Sequence, residues 1–225
     1  MTNLRRGIYA IVDGDRLGLG LRTDRRPPVN LIRAYAVAAA DAGAVAVQLR
    51  LKHLPLGHPT RLTALHAVRR ALGSRIPVIA DDDARAAIDA HAGLHLGQDD
   101  GDPRVARRLL DSGAMLGWST HTLAQVTAAQ GLPLQYLGFG PILPTDGKQA
   151  HSPVTGFAGL ADAVAASQLP VVAIGGLQLN DVAAVRATGA QAMAVIGAWL
   201  GPAGAPHDVA TAQAALAKIV AAWHA

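Results

Sequence analysis

Several short clusters in this 225-residue chain hold the residue types that bind phosphate and divalent cations. In Gln48-Leu49-Arg50-Leu51-Lys52 the polar residues alternate, so an extended strand would point Gln48, Arg50 and Lys52 the same way. A guanidinium beside an ammonium holds phosphate, Arg through its planar fork and Lys as a point charge. The plain alternative is a pair of cations answering nearby carboxylates. Asp81-Asp82-Asp83 and Gln98-Asp99-Asp100 stand further along. One carboxylate from each, with water and phosphate oxygens, makes a Mg2+ site. The competing use of acidic residues is helix capping, which suits Asp83 and Asp102.

Three more segments carry groups of interest. Ser119-Thr120-His121 can position a ligand. No acid follows at a fixed spacing, so a serine nucleophile is not expected, and His121 is read as a cap or a ligand contact rather than a base. Gly140-Pro141-Ile142-Leu143-Pro144-Thr145-Asp146-Gly147-Lys148 supplies a hydroxyl at Thr145 and a cation at Lys148, the parts of an anion clamp. Read alone, it is a surface loop bounded by Pro and Gly. Gly175-Gly176 and Gly197 end apolar runs, where glycine serves both tight turns and backbone N–H contacts to phosphate.

The elements that must position these groups are apolar runs: Gly7–Val12, Ala44–Arg50, Pro77–Asp82, Gly93–Gly97, Met115–Thr120, Tyr136–Ile142, Val171–Gly176 and Ala192–Leu200. They alternate poorly, as parallel strands buried on both faces do. Amphipathic stretches follow them. Val29–Ala42 repeats apolar residues at helical spacing, Thr122 and Asn180 are candidate N-caps, and Asp102-Pro103 opens a helix through Leu110. Val209 to Trp223 reads as the last helix. Eight βα units predict an α/β fold, a (β/α)8 TIM barrel in one domain over 1–225, whose strand ends converge on one mouth. A doubly wound open sheet shares the alternation and is the second choice.

Composition agrees. Hydrophobic residues make up 51% of the chain, enough for a large core, and aromatics only 4%. The absence of cysteine excludes disulfides, thiolate zinc sites and cysteine nucleophiles. Residues 1–7 contain no apolar h-region, so no signal peptide is expected, and no run approaches a membrane span. A cytoplasmic protein with no membrane partner is the expectation. A net charge of +4 suits an anionic small molecule. No basic stripe with interleaved aromatics points to nucleic acid. The basic Arg16–Arg26 loop is placed to cover a ligand.

Taken together, Gln48-x-Arg50-x-Lys52, His95-x-Gly97-Gln98-x-Asp100, Gly117-x-Ser119-x-His121, Gly138-x-Gly140-Pro141-Ile142-x-Pro144-Thr145 and Ala173-Ile174-Gly175-Gly176 resemble the thiamine-phosphate synthase/TenI superfamily in order and spacing. The resemblance runs from Tyr9 to about Leu200. It implies a TIM barrel that joins 4-amino-2-methyl-5-pyrimidinylmethyl diphosphate to thiazole phosphate and releases pyrophosphate. It implies Arg50 and Lys52 as the pyrophosphate grip, Asp81 and Asp100 as Mg2+ ligands, and Ser119, Thr145 and Lys148 as further site residues. The thiazole phosphate would sit at Gly175-Gly176. Gln48, His121 and Gly197 complete the expected substrate contacts, and the partners are two phosphorylated small molecules. A homo-oligomer is compatible with all of this.

The chain departs from the family pattern at four places. Ala80-Asp81-Asp82 stands for Asn-Asp-Arg, Gly147 for a Thr, Gly197 for a Ser, and Leu51 for a Glu. These departures predict weakened pyrophosphate binding. They keep in view a TenI-like thiazole tautomerase and a non-catalytic binder of thiazole phosphate or thiamine phosphate.

Overall fold

A computed structural model describes residues 4–21, 28–145 and 153–225. The strands are β1 (Gly7–Asp13), β2 (Ala46–Arg50), β3 (Val78–Asp81), β4 (Gly93–Leu96), β5 (Leu116–Thr120), β6 (Tyr136–Phe139), β7 (Val171–Ala173) and β8 (Ala192–Val195). Each pairs in parallel with the next, and β8 pairs with β1 to close the barrel. The helices are α1 (Val29–Asp41), α2 (Pro59–Leu72), α3 (Ala84–Asp89), α4 (Pro103–Leu109), α5 (Leu123–Ala128), α6 (Gly156–Ala166), α7 (Val182–Ala187), α8 (Gly197–Leu200) and α9 (Val209–His224). This is the expected (β/α)8 TIM barrel, not the open sheet.

The poor alternation of the strands has a direct cause. Both faces are buried, one against helices and one against the other strands. β1 gives Ile8, Ala10 and Val12 to the layer under the helices, and Tyr9 and Ile11 to the barrel interior. β3 divides the same way: Val78 and Ala80 face out, Ile79 faces in. The small side chains of α1, among them Ala36 and Ala39, let it lie close to the sheet. None of the described helices is long and apolar enough to cross a membrane.

Several boundaries differ from the sequence expectation. β6 stops at Phe139, β7 at Ala173 and β8 at Val195, so Gly140, Gly175 and Gly176 lie beyond the strands. Gly197–Leu200 is a short helix, α8, rather than the end of β8. Apolar runs do not distinguish these cases, because a buried turn is as apolar as a buried strand. Thr122 and Asp102 cap α5 and α4 as expected. Asn180 does not cap; the Asp181 carboxylate accepts the Gln178 N–H at 2.8 Å and opens a short 3-10 turn ahead of α7.

Candidate active site

The strand ends surround one open cavity of about 500 Å³. On the side of β1 to β3 its wall is charged. Asp13, at the end of β1, accepts a hydrogen bond from Arg50 through Oδ2 and from the Arg16 N–H through Oδ1, the latter at 2.8 Å. Asp15 lies 3.7 Å from the Arg50 guanidinium. At the end of β3, Asp81 accepts from the Gln48 amide at 3.0 Å and lies 3.9 Å from Arg50 and 3.8 Å from Lys52. Asp13, Gln48 and Asp81 are buried.

Arg50 and Lys52 do not act as a matched pair. Arg50 lines the cavity, whereas Lys52 does not and forms an ion pair with the buried Asp82. The reason is local: β2 ends at Arg50, so strand alternation no longer governs Lys52. Asp82 does not point to solvent. Asp83 caps α3 by accepting the Ala86 N–H at 3.0 Å. Beneath this wall lies Arg61 of α2, itself buried. It donates to the carbonyls of Leu51 at 2.8 Å, Leu54 at 2.7 Å and Asp81 at 3.3 Å, and lies 3.8 Å from Asp83. His53 is packed below the β1 loop, where a side chain on Gly14 would overlap its ring. Both its ring nitrogens are buried without a hydrogen bond to any described residue, and Nδ1 stands 3.8 Å from Asp15. Burial lowers its pKa, with Asp15 opposing.

The floor is a chain of polar groups. Ser119 lines the cavity and its hydroxyl meets His95 Nε2 at 2.9 Å. His95 Nδ1 meets the Tyr136 hydroxyl at 2.9 Å, and that hydroxyl meets Tyr9 at 2.9 Å. Burial raises the pKa of both phenols, so both stay protonated. Gly117 is required here, because a Cβ on it would overlap the Tyr136 ring. Gln98 donates to the Ser119 carbonyl, and Trp118 donates to the Gly97 carbonyl at 3.0 Å. Asp100 accepts the Gly97 N–H at 2.8 Å, at the turn after β4, and does not line the cavity. His121 also stays out of the cavity; its Nδ1 meets the Gly140 carbonyl at 2.6 Å and ties β5 to the turn after β6.

The opposite wall, from β6 to β8, is uncharged and rich in glycine. Gly175 and Gly176 line the cavity at φ +103° and +71°, conformations that side-chain-bearing residues rarely adopt. A Cβ on Gly175 would lie 2.6 Å from Pro141 Cα. The Ile142 N–H donates to Ile174 and the Leu143 N–H to Gly175, both at 3.0 Å, which locks the two turns together. Pro144 and Thr145 line the rim. Gly197 faces Arg16: a Cβ there would sit 3.3 Å from its guanidinium. Lys148 and Gly147 lie outside the described residues, as does the Arg22–Arg26 part of the basic loop.

Residues 23–199 match the family model described as thiamine monophosphate synthase. The chain belongs to the thiamine monophosphate synthase family. A thiamine-phosphate synthase from Anaeromyxobacter dehalogenans is 42% identical over 213 residues, 93% of this chain and 87% of its own length. One from Chlamydia caviae is 36% identical over 212 residues, 93% of this chain and 97% of its own. Among solved structures, a thiamine phosphate pyrophosphorylase from Pyrococcus furiosus superposes with a TM-score of 0.75 at 29% identity, covering 97% of this chain and 96% of that one.

Within the thiamine monophosphate synthase family, the departures of this chain fall unevenly. Ala80 and Leu51 face the helix layer, not the cavity, so they remove no polar group from its wall. Asp82 diverts Lys52, and Gly197 leaves room for the Arg16 guanidinium. Sequence reasoning placed Arg16 only within the basic loop and did not assign roles to Asp13, Asp15, Arg61, His95, Tyr9 or Tyr136. A signal existed for His95 and Tyr9, each a lone polar group between apolar neighbours in a strand, Leu94-His95-Leu96 and Ile8-Tyr9-Ala10. Arg61 had none, since it reads as one of several arginines on α2.

Proposed function

We propose that this chain is a thiamine-phosphate synthase: it joins 4-amino-2-methyl-5-pyrimidinylmethyl diphosphate to thiazole phosphate and releases pyrophosphate. The observation that carries this reading is one cavity lined by Gln48, Arg50, Asp81, Ser119 and Gly175-Gly176 in a family member that matches synthases over most of its length. The methylene–oxygen bond breaks, its electron pair leaves with pyrophosphate, and the thiazole nitrogen bonds the methylene carbon. Arg50 is the cation that faces this leaving group, held in place by Asp13 and Asp15. Lys52, Thr145 and Lys148 are assigned to the same anion. Gln48 gives one amide N–H to Asp81, which leaves its other N–H and its carbonyl oxygen for the pyrimidine. The backbone of Gly175-Gly176 and Gly197 takes the thiazole phosphate, where loops after the last two strands bind phosphate in this fold.

The donor chemistry at the ends of β3 and β4 fits Mg2+. Asp81 and Asp100 offer hard carboxylate oxygens, and Mg2+ needs few protein ligands when phosphate and water complete its shell. Among the described residues no three metal-ligating side chains cluster, so phosphate and water oxygens would have to complete any shell there. Bound there, Mg2+ would neutralise charge on the leaving pyrophosphate. The chain is assigned as one catalytic domain acting in the cytoplasm.

The test is pyrophosphate release with both substrates and Mg2+, with omission of each in turn. Release that needs all three supports the reading; none under any condition refutes it. The diversion of Lys52 to Asp82 favours a second reading, thiazole tautomerase activity. Isomerisation of the thiazole phosphate without the pyrimidine would identify it.

A further inference from the structure

The four groups Tyr9, Tyr136, His95 and Ser119 form a linear chain with three contacts, all 2.9 Å long. With His95 neutral, the chain has four hydrogens, one per group, and each contact uses one. One hydrogen is left over, and its position fixes the direction of every bond. If it stays on Tyr9 or Tyr136, a phenol donor is stranded in the barrel interior, where both residues are 2% exposed or less. A stranded buried donor costs its full desolvation. It cannot stay on His95, because the ring nitrogen that carries it would have to accept as well. Protonating His95 adds a fifth hydrogen and again strands a buried phenol. Of the three hydroxyls only that of Ser119 borders open space, on the cavity; His95 lines the cavity too, but both its ring nitrogens are engaged within the chain.

We propose that this chain is polarised outward, Tyr9 to Tyr136 to His95 to Ser119, so that His95 is held as its Nε2–H tautomer and Ser119 is a hydrogen-bond donor to the ligand. Tyr136 then acts as a positioning residue for a hydroxyl it does not touch. The group recognised is an acceptor, such as a ring nitrogen of an aminopyrimidine; that assignment rests on the synthase reading, whereas the tautomer does not. Tyr9 donates into the chain and sets its starting direction from inside the barrel. Gly117, which makes room for the Tyr136 ring, is part of the same device.

The experiment is a long-range proton–nitrogen correlation spectrum of His95 in the ligand-free protein. The Nε2–H tautomer is expected in the wild type and in Tyr9→Phe, where Tyr136 still donates to Nδ1. Tyr136→Phe should lose the preference and show both tautomers. Kinetics supply the second arm. Tyr136→Phe should lower kcat/KM for the pyrimidine diphosphate about tenfold, the value of one hydrogen bond. In a Ser119→Ala background the same change should have no further effect, which a merely structural role would not produce. An Nδ1–H tautomer in the wild type, or additive losses in the double variant, overturns the proposal. An Nε2–H tautomer in a protein that makes no thiamine phosphate would leave the chain standing and remove the synthase reading.

Discussion

The two walls of the mouth are made of different materials. From β1 to β3 the wall is side chain: Asp13, Asp15, Arg50 and Asp81 line it and are joined by ion pairs, with Lys52 and Asp82 paired behind them. From β6 to β8 it rests on backbone, with Gly175, Gly176 and Gly197 where larger side chains would stand, among uncharged residues such as Ile174, Leu177 and Ile196. Charged side chains can be exchanged, shortened or neutralised and the wall still exists. A backbone wall has no such latitude, since its shape is its only property. The first wall therefore carries graded effects on chemistry, and the second all-or-none effects on folding.

The largest effect is expected where that contrast is sharpest. Gly175→Ala adds a Cβ at φ +103° against Pro141 Cα, and neither can move without breaking the locked turns. It should cost about 3 kcal/mol or more, summed from backbone strain and overlap. Chemical denaturation measures this; wild-type stability would mean that the backbone wall is as tolerant as the charged one.

On the charged wall the order of two cations is the next test. Arg50→Lys keeps the charge but loses the fork, and Arg50 lines the cavity. Its kcat/KM should fall about a hundredfold, in the range of a lost transition-state donor. Lys52→Met should cost only about tenfold, as expected for one hydrogen bond, because Lys52 is engaged with Asp82. Thermal midpoints should stay close to wild type in Arg50→Lys. Equal losses at both positions would show that the two cations share the ligand evenly.

A smaller effect concerns Ala80. Restoring the family's Asn would place an amide in the layer between β3 and the helices, not in the cavity. Ala80→Asn should destabilise by about 1–3 kcal/mol, the cost of an unsatisfied buried polar group, with no gain in ligand binding. Tighter pyrimidine diphosphate binding in that variant would place the side chain on the cavity side. Sequence reasoning expected the opposite, for an instructive reason. The strand ends and their order were legible because buried parallel strands and their polar termini leave a mark on composition. Which face Ala80 takes follows from the parity of β3, and parity is set by where the strand starts, a boundary that apolar runs blur. The same blur hid the departure of Lys52 from Arg50. Gln48, Arg50, Asp81, Ser119 and Gly175-Gly176 were legible and the structure gathers them around the cavity; Asp100 and His121 were equally legible as motifs, and the structure sets them outside the cavity lining, bonded to the turns after β4 and β6.

The smallest expected effect is one of pH. Burial lowers the pKa of His53 below its ordinary 6.5; Asp15 and Asp13 oppose this, and Arg61 and His58 add to it. The unfolded chain then binds more protons than the folded one below that value, so stability falls as pH drops through it. Replacing His53 by Leu should reduce the loss in thermal midpoint between about pH 7.5 and about pH 5. An identical pH dependence in the variant would separate His53 from the charged wall it lies beneath.

Arg61 bears on how far this barrel can be rebuilt. The fold is prized for loops that can be exchanged while the strands and helices stay put. Here one guanidinium on α2 gathers carbonyls from the segment after β2 and from the last residue of β3. That segment is therefore not a detachable part: it is fastened to the helix that follows it and to the next strand. A graft of residues 51–58 from a relative will seat correctly only if the donor also supplies a five-donor side chain at position 61. The natural unit of exchange at this edge of the barrel is loop plus helix, and its border runs inside the scaffold, not at the mouth.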